Sequence, residues 1–280
     1  MSRSGFKKEK ILKQCYWLLL LMLIGCATPD TREHAQQLAH NAGLTRSQIT
    51  ANGFVLTAYS RFTNPEQAIN VYIEGDGLAW LSRHQLSADP TPRNAVGLAL
   101  AALDPTANVL YLARPCQFND FERTPCASEY WSNKRFAPEV IDAMNQAIDR
   151  FSRPAQAQKL NLIAYSGGAT VAVLLAARRH DIASLRTVAG NLDHTYVNQR
   201  HQVSVMPESL NAMDAASNIS DIPQLHFVGT SDKVIPKEVA LRFIAKQRHA
   251  NCASIIEAQA RHQVGWLEQW LSLLQTPMPC

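Results

Sequence analysis

The sequence predicts an α/β protein with a mostly parallel sheet flanked by helices. Between residues 108 and 274, short β-rich runs alternate with runs of helical character, and parallel strands must be joined by crossover helices. The composition agrees, because 46% hydrophobic and 18% charged residues over 280 positions suit a globular chain with a sizeable core. Disordered, collagen-like and coiled-coil proteins are excluded.

The net charge of +4 does not indicate binding to nucleic acid. Five basic residues and one acidic residue lie within positions 1–25, and the remainder of the chain carries equal numbers of both signs. A basic patch on the folded protein therefore has no support in the composition. We expect no nucleic-acid partner.

The amino terminus is typical of an exported protein. A basic segment precedes an apolar run, Cys15–Gly25, which is shorter than the roughly 20 residues of a membrane span. The run leads into Leu23-Ile24-Gly25-Cys26, which resembles the bacterial lipobox. That resemblance implies a lipoprotein signal peptide over residues 1–25 and lipid attachment at Cys26. It also implies a membrane partner, and Ala27 implies the outer membrane, facing the periplasm. An uncleaved signal anchor is the alternative.

The rest of the chain divides into two predicted parts. Residues 26–51 are predicted as a tether with an accessory helix, because Thr28-Pro29 can begin a helix with small apolar residues at helical spacing. Residues 52–280 are predicted as one domain, with Phe54–Tyr59 and Ala68–Ile73 as a hairpin. The long connection 190–223 is predicted to hold short helices that shape a pocket or a small lid.

The remaining predicted elements follow from the alternation of apolar patterns. The predicted strands are Asn108–Ala113, Lys159–Ala164, Leu185–Ala189, Gln224–Val228 and Ala253–Ala258, and the predicted helices are Pro138–Phe151, Gly168–Arg179, Pro236–Gln247 and Gln263–Leu274.

The most informative segment is Ala164-Tyr165-Ser166-Gly167-Gly168, between a predicted strand and an apolar helix. It resembles the nucleophile elbow of the α/β-hydrolases, in which small neighbours let a serine hydroxyl stand clear of a sharp turn. Gly168 matches the last glycine of G-x-S-x-G, and Ala164 replaces the first. The resemblance implies an α/β-hydrolase fold with Ser166 as the nucleophile. A small-residue turn formed for packing alone is the alternative.

A nucleophilic serine needs a base to take its proton and an acid to orient that base. Asp232 and His262 each follow a predicted strand, so they are expected at the same sheet edge as Ser166. The order Ser, Asp, His is that of the α/β-hydrolases and implies a catalytic triad. Asp193 is the alternative acid and His249 a weaker alternative base. Without catalysis, the Asp232 and His262 side chains would only form loop or cap contacts.

The resemblance also implies an oxyanion hole formed by two backbone amides, those of Gly167 and Asp76. Asp76 lies in Glu74-Gly75-Asp76-Gly77, which resembles the family's His-Gly-x-Gly loop with Glu74 in the histidine place. We assign no catalytic carboxylate here, and we expect no metal and no cofactor. Five aromatic residues are expected either to line an acyl pocket or to pack in the core and loops: Trp80, Phe118, Phe121, Tyr130 and Trp131.

Four cysteines remain after the signal and the lipid site: Cys116, Cys126, Cys252 and Cys280. Disulfides persist in an oxidising periplasm, and four cysteines allow three pairings. Local spacing favours Cys116 with Cys126 and Cys252 with Cys280, and free buried thiols are the alternative.

The resemblance implies a serine hydrolase of the carboxylesterase or lipase type, which cleaves an ester or related acyl bond of a small molecule through an acyl-enzyme. Acyl transfer or peptide cleavage on the same triad remains open. A non-catalytic lipoprotein that binds an envelope component is the alternative from another class, because Ala164 and Glu74 depart from the usual motifs.

Overall fold

The computed structural model describes residues 30–119, 126–152 and 159–280. In these ranges the strands are β1 (Thr45–Ala51), β2 (Phe54–Phe62), β3 (Ile69–Ile73), β4 (Trp80–Ser82), β5 (Gln85–Leu86), β6 (Asn108–Leu112), β7 (Leu160–Tyr165), β8 (Ile182–Val188), β9 (Gln224–Gly229) and β10 (Ala253–Ala258). The α-helices are α1 (Thr31–Asn41), α2 (Val96–Ala102), α3 (Pro138–Ser152), α4 (Gly168–Ala176), α5 (His194–His201), α6 (Ala212–Ala215), α7 (Lys237–Ala245) and α8 (Trp270–Leu274).

The central sheet confirms the predicted mostly parallel architecture. Its eight strands, counted over the described residues, run in the order β1-β2-β6-β3-β7-β8-β9-β10. The β1–β2 and β2–β6 pairs are antiparallel, whereas the pairs from β6 to β10 are parallel. The carboxyl ends of the parallel strands therefore lie at one edge of the sheet.

Alternation along the strands produces two apolar layers, one on each face of the sheet. In β6, Leu110 and Leu112 join one core cluster, while Val109 and Tyr111 join the other. Helices α3, α4 and α7 supply apolar residues to the first cluster, and α1, α2 and α8 supply them to the second. Because successive strand side chains point to opposite faces, both faces of the sheet are buried.

The amino-terminal part differs from the prediction. Residues 45–51 form edge strand β1, joined to β2 by a two-residue turn with Asn52 at φ 45° and Gly53 at φ 80°. Asn-Gly is the preferred pair for such a hairpin turn, because both positions need positive φ. The predicted boundary at residue 52 therefore falls inside a hairpin. The accessory helix is present as α1, and it buries Ala35 and Ala39.

The hairpin predicted between Phe54–Tyr59 and Ala68–Ile73 is wrong. Both segments are strands, but β6 lies between β2 and β3. The β-rich pattern identifies each strand, whereas the identity of its neighbour depends on which longer connection crosses the sheet.

The helix predicted over Gln263–Leu274 is largely absent. Only a 3₁₀ turn at Leu267–Gln269 and the short helix α8 form there. Gly265 has φ +92° and approaches the backbone of Gln259 and Ala260, where a Cβ atom would clash. The chain turns at this glycine, and a continuous helix cannot form.

The long connection 190–223 contains short helices, as predicted. Val197 of α5 and Ala212 of α6 join the core cluster beneath the sheet. No residue of this connection lines the pocket around Ser166 in the described part of the chain. These helices pack against one face of the sheet and do not form the predicted lid or line the pocket around Ser166.

Two disulfides join the cysteines in the pairing that local spacing favours. Cys116 is bonded to Cys126 with a Cα–Cα distance of 5.7 Å, and Cys252 is bonded to Cys280 at 5.0 Å. The second bond connects the residue before β10 to the end of the chain.

The predicted signal peptide over residues 1–25 and the predicted lipid site Cys26 lie outside the described residues. Among the residues that the structure does describe, there is no helix with the length and hydropathy required to cross a membrane.

Candidate active site

Ser166 lies at a sharp turn between β7 and α4, with φ +50°. Three backbone hydrogen bonds hold this turn: the Ser166 amide donates to the Val188 carbonyl at 3.0 Å, and the Ser166 carbonyl accepts from Ala169 at 3.0 Å and from Asn191 at 2.9 Å. Positive φ is costly for a residue with a side chain, and here the surrounding bonds maintain it. The turn has the geometry expected of a nucleophile elbow.

The small residues around Ser166 are required by close packing. A Cβ atom on Gly168 would lie 2.6 Å from the carbonyl oxygens of Ile73 and Glu74, which is too close for any carbon. Ala164, in the place of the first glycine of the motif, is buried within the core cluster. An alanine therefore fits there.

Ser166, His262 and Asp232 meet in space, as predicted. The Ser166 hydroxyl lies 3.0 Å from Nε2 of His262, and Nδ1 of the same ring lies 2.9 Å from Oδ2 of Asp232. Oδ1 of Asp232 accepts from the amides of Val234 and Ile235 at 2.8 and 2.9 Å. The Asp232 side chain is fully buried, and each of its carboxylate oxygens has a hydrogen-bond partner, as buried polar groups require. These bonds fix the carboxylate, which in turn holds the His262 ring in one orientation.

The loop of His262 is connected to the serine strand. The His262 carbonyl accepts hydrogen bonds from the Tyr165 hydroxyl at 3.0 Å and from the Trp266 indole at 2.9 Å. Tyr165 immediately precedes Ser166, and its ring lies 5.4 Å from the His262 ring. The backbone of the base is therefore positioned by a neighbour of the nucleophile.

The alternative acid and base have other roles. Asp193 caps helix α5 by accepting from the Tyr196 amide at 3.0 Å, and it also pairs with Arg242 at 3.2 Å. His249 forms a surface pair with Asp221 at 2.9 Å. Neither residue lines the pocket around Ser166, so Asp232 and His262 are the residues that the structure brings to the hydroxyl.

The two residues predicted to supply the oxyanion-hole amides lie near Ser166, since Gly167 follows it in the chain and Asp76 lines the same cavity. Gly167 and Asp76 are in contact, because a Cβ atom on Gly167 would overlap the Asp76 carboxylate. Within the described residues, neither amide has a hydrogen-bond partner. Unpaired backbone N–H groups that face a reacting carbonyl can bind a developing oxyanion.

The Asp76 side chain lies between two arginines that the sequence analysis missed. Oδ1 is 3.1 Å from Nη1 of Arg114, and Oδ2 is 2.8 Å from Nη1 of Arg135. Burial alone would raise the pKa of Asp76, but the charges of Arg135 and Arg114 outweigh it and hold the pKa below its ordinary value. Arg114 also donates to the Arg135 carbonyl. Arg114 follows β6, and a charged residue at the carboxyl end of a parallel strand is a candidate site residue, so the sequence pattern could have identified it. Arg135 follows no strand, and no sequence pattern indicates it.

Glu74 has a structural role in the same loop. Its carboxylate accepts from the amides of Gly75, Gly97 and Leu98 at 2.9, 3.2 and 3.3 Å, and from the Tyr111 hydroxyl at 3.1 Å. Burial raises the pKa of Glu74, and these four donors oppose that effect. The side chain connects residues 74–77, named the oxyanion loop after the role predicted for the Asp76 amide, to the start of α2.

A cavity of about 570 Å³ opens above Ser166 and His262. Its lining combines apolar residues, including Leu78, Trp80 and Val234, with charged ones. Of the aromatic residues predicted here or in the core, Trp80 lines the cavity, Phe118 packs in the core, and Tyr130 and Trp131 form a smaller cluster. Phe121 lies outside the described residues. Over those residues, no group of three potential metal ligands occurs.

Comparison with known families decides the identity of the chain. The family model described as "Serine hydrolase (FSH1)" matches residues 109–272, which include all three members of the hydrogen-bonded chain. The protein belongs to this serine hydrolase family. The comparison with curated protein sequences finds no match.

Three solved structures with a similar fold are described as esterases or as a serine hydrolase homologue. The serine hydrolase is similar to the Pyrococcus furiosus esterase Pf2001, with a TM-score of 0.59 and 14% identity over 84% of this chain and 92% of that one. It is similar to Est1E from Butyrivibrio proteoclasticus (TM-score 0.56, 12% identity, 82% and 95% covered). It is also similar to an alpha-beta serine hydrolase homologue from Coxiella burnetii, with a TM-score of 0.56 and 15% identity over 82% of this chain and 93% of that one. The predicted α/β-hydrolase fold is confirmed.

Proposed function

We propose that this serine hydrolase cleaves an ester or a related acyl bond of a small molecule through an acyl-enzyme on Ser166. The observation that carries the proposal is the continuous hydrogen-bond chain from the Ser166 hydroxyl through His262 to buried Asp232. Such a chain makes the serine nucleophilic, because the ring can accept the hydroxyl proton while the carboxylate stabilises the resulting imidazolium.

The reaction proceeds in two steps. Ser166 Oγ bonds to the acyl carbonyl carbon while its proton passes to Nε2 of His262, and the amides of Gly167 and Asp76 bind the oxyanion. The bond to the leaving group then breaks, and His262 returns the proton to that group. In the second step, water loses a proton to His262 and attacks the acyl carbon. The bond between the acyl carbon and Ser166 Oγ then breaks, His262 returns the proton to Oγ, and the acid is released.

Labelling with a fluorophosphonate and hydrolysis of 4-nitrophenyl esters test the proposal. We expect wild-type protein to label on Ser166, and Ser166→Ala to lose label and to lose turnover on the order of a millionfold while remaining folded. Equal labelling of wild type and Ser166→Ala would refute the nucleophile. Graded acyl lengths would identify the preferred chain.

The second arm of the test removes the acid. Asp232→Asn is expected to lower kcat by roughly ten-thousandfold, because the amide no longer selects the required tautomer. Asp221→Asn is the matched control, since Asp221 also pairs with a histidine at 2.9 Å but at the surface. Loss of activity in both variants, or in neither, would contradict the proposed triad.

We also propose that the protein is anchored by lipid on Cys26 in the bacterial envelope, at the outer membrane facing the periplasm. The basic segment, the short apolar run and the lipobox-like Leu23-Ile24-Gly25-Cys26 support this. Cys26→Ser should abolish incorporation of labelled fatty acid and release the protein from membranes. Cys15→Ser is the control and should retain both. A Cys26→Ser variant that still acquires lipid would overturn the assignment.

A further inference from the structure

The basic side chains of the cavity above Ser166 are more available to a ligand than its acidic ones. Its lining includes two acidic side chains, Glu74 and Asp76, and two basic ones, Arg93 and Arg135. The Glu74 carboxylate is fully engaged by three backbone amides and a tyrosine hydroxyl. Asp76 is shared between two guanidinium groups. Both carboxylates are therefore occupied by donors of the protein itself and are not available to a ligand.

Arg135 retains donors that the protein does not use. Its Nε donates to the Ser132 carbonyl at 2.9 Å and its Nη1 to Asp76 at 2.8 Å. Nη2 has no partner within the described part of the chain. The side chain is only 17% exposed, and charge interactions are stronger where water is partly excluded.

Arg93 supplies the second basic group. It is exposed and lines the same cavity, and its side chain forms no ion pair or hydrogen bond with the residues that the structure describes. It lies between the buried Pro92 and helix α2. The backbone is therefore held in place while the guanidinium is free to meet a ligand.

We propose that Arg93 and Arg135 bind an anionic group of the substrate, so that the preferred ester carries a carboxylate or a phosphate near its scissile carbonyl. Guanidinium groups match the planar oxygen pairs of both anions. Leu78, Trp80 and Val234 line the rest of the cavity and receive the uncharged part of the molecule. This inference rests on the proposed function.

The test compares two esters that differ at one end, where one has a free carboxylate and the other its methyl ester: mono-4-nitrophenyl adipate and its methyl ester. The length of the adipate chain disfavours attack of the carboxylate on its own ester, and the rate without enzyme is subtracted for both. We expect wild-type protein to have a kcat/KM at least about tenfold higher for the charged ester, as for hydrogen bonds to an ionised group. Arg93→Gln should reduce this ratio by about threefold to fivefold, the size expected for an exposed pair. Arg93→Lys should retain most of it, and Arg135→Lys should reduce it through loss of the unused donors.

Arg200→Gln is the matched control. Arg200 is also exposed and without an ion pair in the described ranges, but it does not line the cavity. The variant removes the same charge and should keep the wild-type ratio. High salt should lower the ratio in wild type more than in Arg93→Gln, because screening acts on the removed charge.

Competition distinguishes the two anions. Inorganic phosphate inhibiting hydrolysis of the methyl ester more strongly than succinate would assign a phosphate-bearing substrate, and the reverse order would assign a carboxylate. A wild-type ratio near one, or a ratio that survives both arginine substitutions, would overturn the inference. Failure of Ser166 to label with fluorophosphonate, together with no cleavage of either ester, would instead overturn the proposed function.

Discussion

Acidification should destabilise this hydrolase through one buried histidine, His226, in the strand that leads to Asp232. The ring is fully buried, with Nδ1 2.9 Å from the Thr187 hydroxyl and Nε2 without a partner in the described residues. The edge of Phe243 lies against it at 5.6 Å. Burial lowers the pKa of His226 from its ordinary 6.5 to about 4, because the charged ring would lose its hydration.

The sign and size of the effect follow from that difference. The unfolded chain binds a proton near pH 6.5, whereas the folded protein does so only near pH 4. The free energy of unfolding therefore falls as the pH drops between these values. Each pKa unit corresponds to 1.36 kcal/mol. The loss attributable to His226 is about 2 kcal/mol at pH 5 and about 3 kcal/mol once the folded protein is protonated.

Urea unfolding at pH 7.5 and pH 5.0 measures this contribution. His226→Gln cannot titrate, so its free energy of unfolding should fall by about 2 kcal/mol less than that of wild type over this range. His180→Gln removes an exposed histidine and should behave as wild type. Other titrating groups are common to all three proteins and cancel. An identical pH dependence of wild type and His226→Gln would refute the reasoning.

Three further predictions test the site and its support. Gly168→Ala should lower activity by at least about tenfold and destabilise the protein by more than about 1 kcal/mol, because the new methyl group meets the Glu74 carbonyl; activity and urea unfolding at wild-type levels would contradict this. Asp76→Asn should lower kcat more than it changes KM for a neutral ester, because the oxyanion loop loses charge-assisted bonds to Arg114 and Arg135; steady-state kinetics that show only a change in KM would contradict it. Replacing Cys252 and Cys280 together by alanine should cost about 3 to 4 kcal/mol, as expected for a bond that spans 28 residues; unchanged urea unfolding would contradict this.

The sequence predicts the parts of the fold that depend on local pattern. The strands and helices from residue 108 to residue 258 are present within a few residues of their predicted ends. The elbow is identified by its small residues, and the approach of His262 to Ser166 follows from their common position at strand ends. These predictions succeed because the periodicity of apolar residues is local, and because the carboxyl ends of parallel strands always meet at one edge of the sheet.

The remaining features depend on contacts that no local pattern specifies. Residues 45–51 have mixed polarity because they form an exposed edge strand, and the Asn52-Gly53 turn was the overlooked signal for it. The arrangement of β6 between β2 and β3 is a property of the crossover path. Arg135 contacts Asp76 although the two residues are 59 positions apart in the sequence, and no motif near Arg135 predicts that contact.

The hydrogen bond from the Tyr165 hydroxyl to the His262 carbonyl couples two parts of the chain that are distant in sequence. We expect a shift of β7 to displace Ser166 and the loop of His262 in the same direction, so that the distance between them changes less than the position of either. Small deformations of the sheet should therefore change the distance between Ser166 and His262 only slightly. The substitution Tyr165→Phe removes this hydrogen bond and leaves every reacting atom in place.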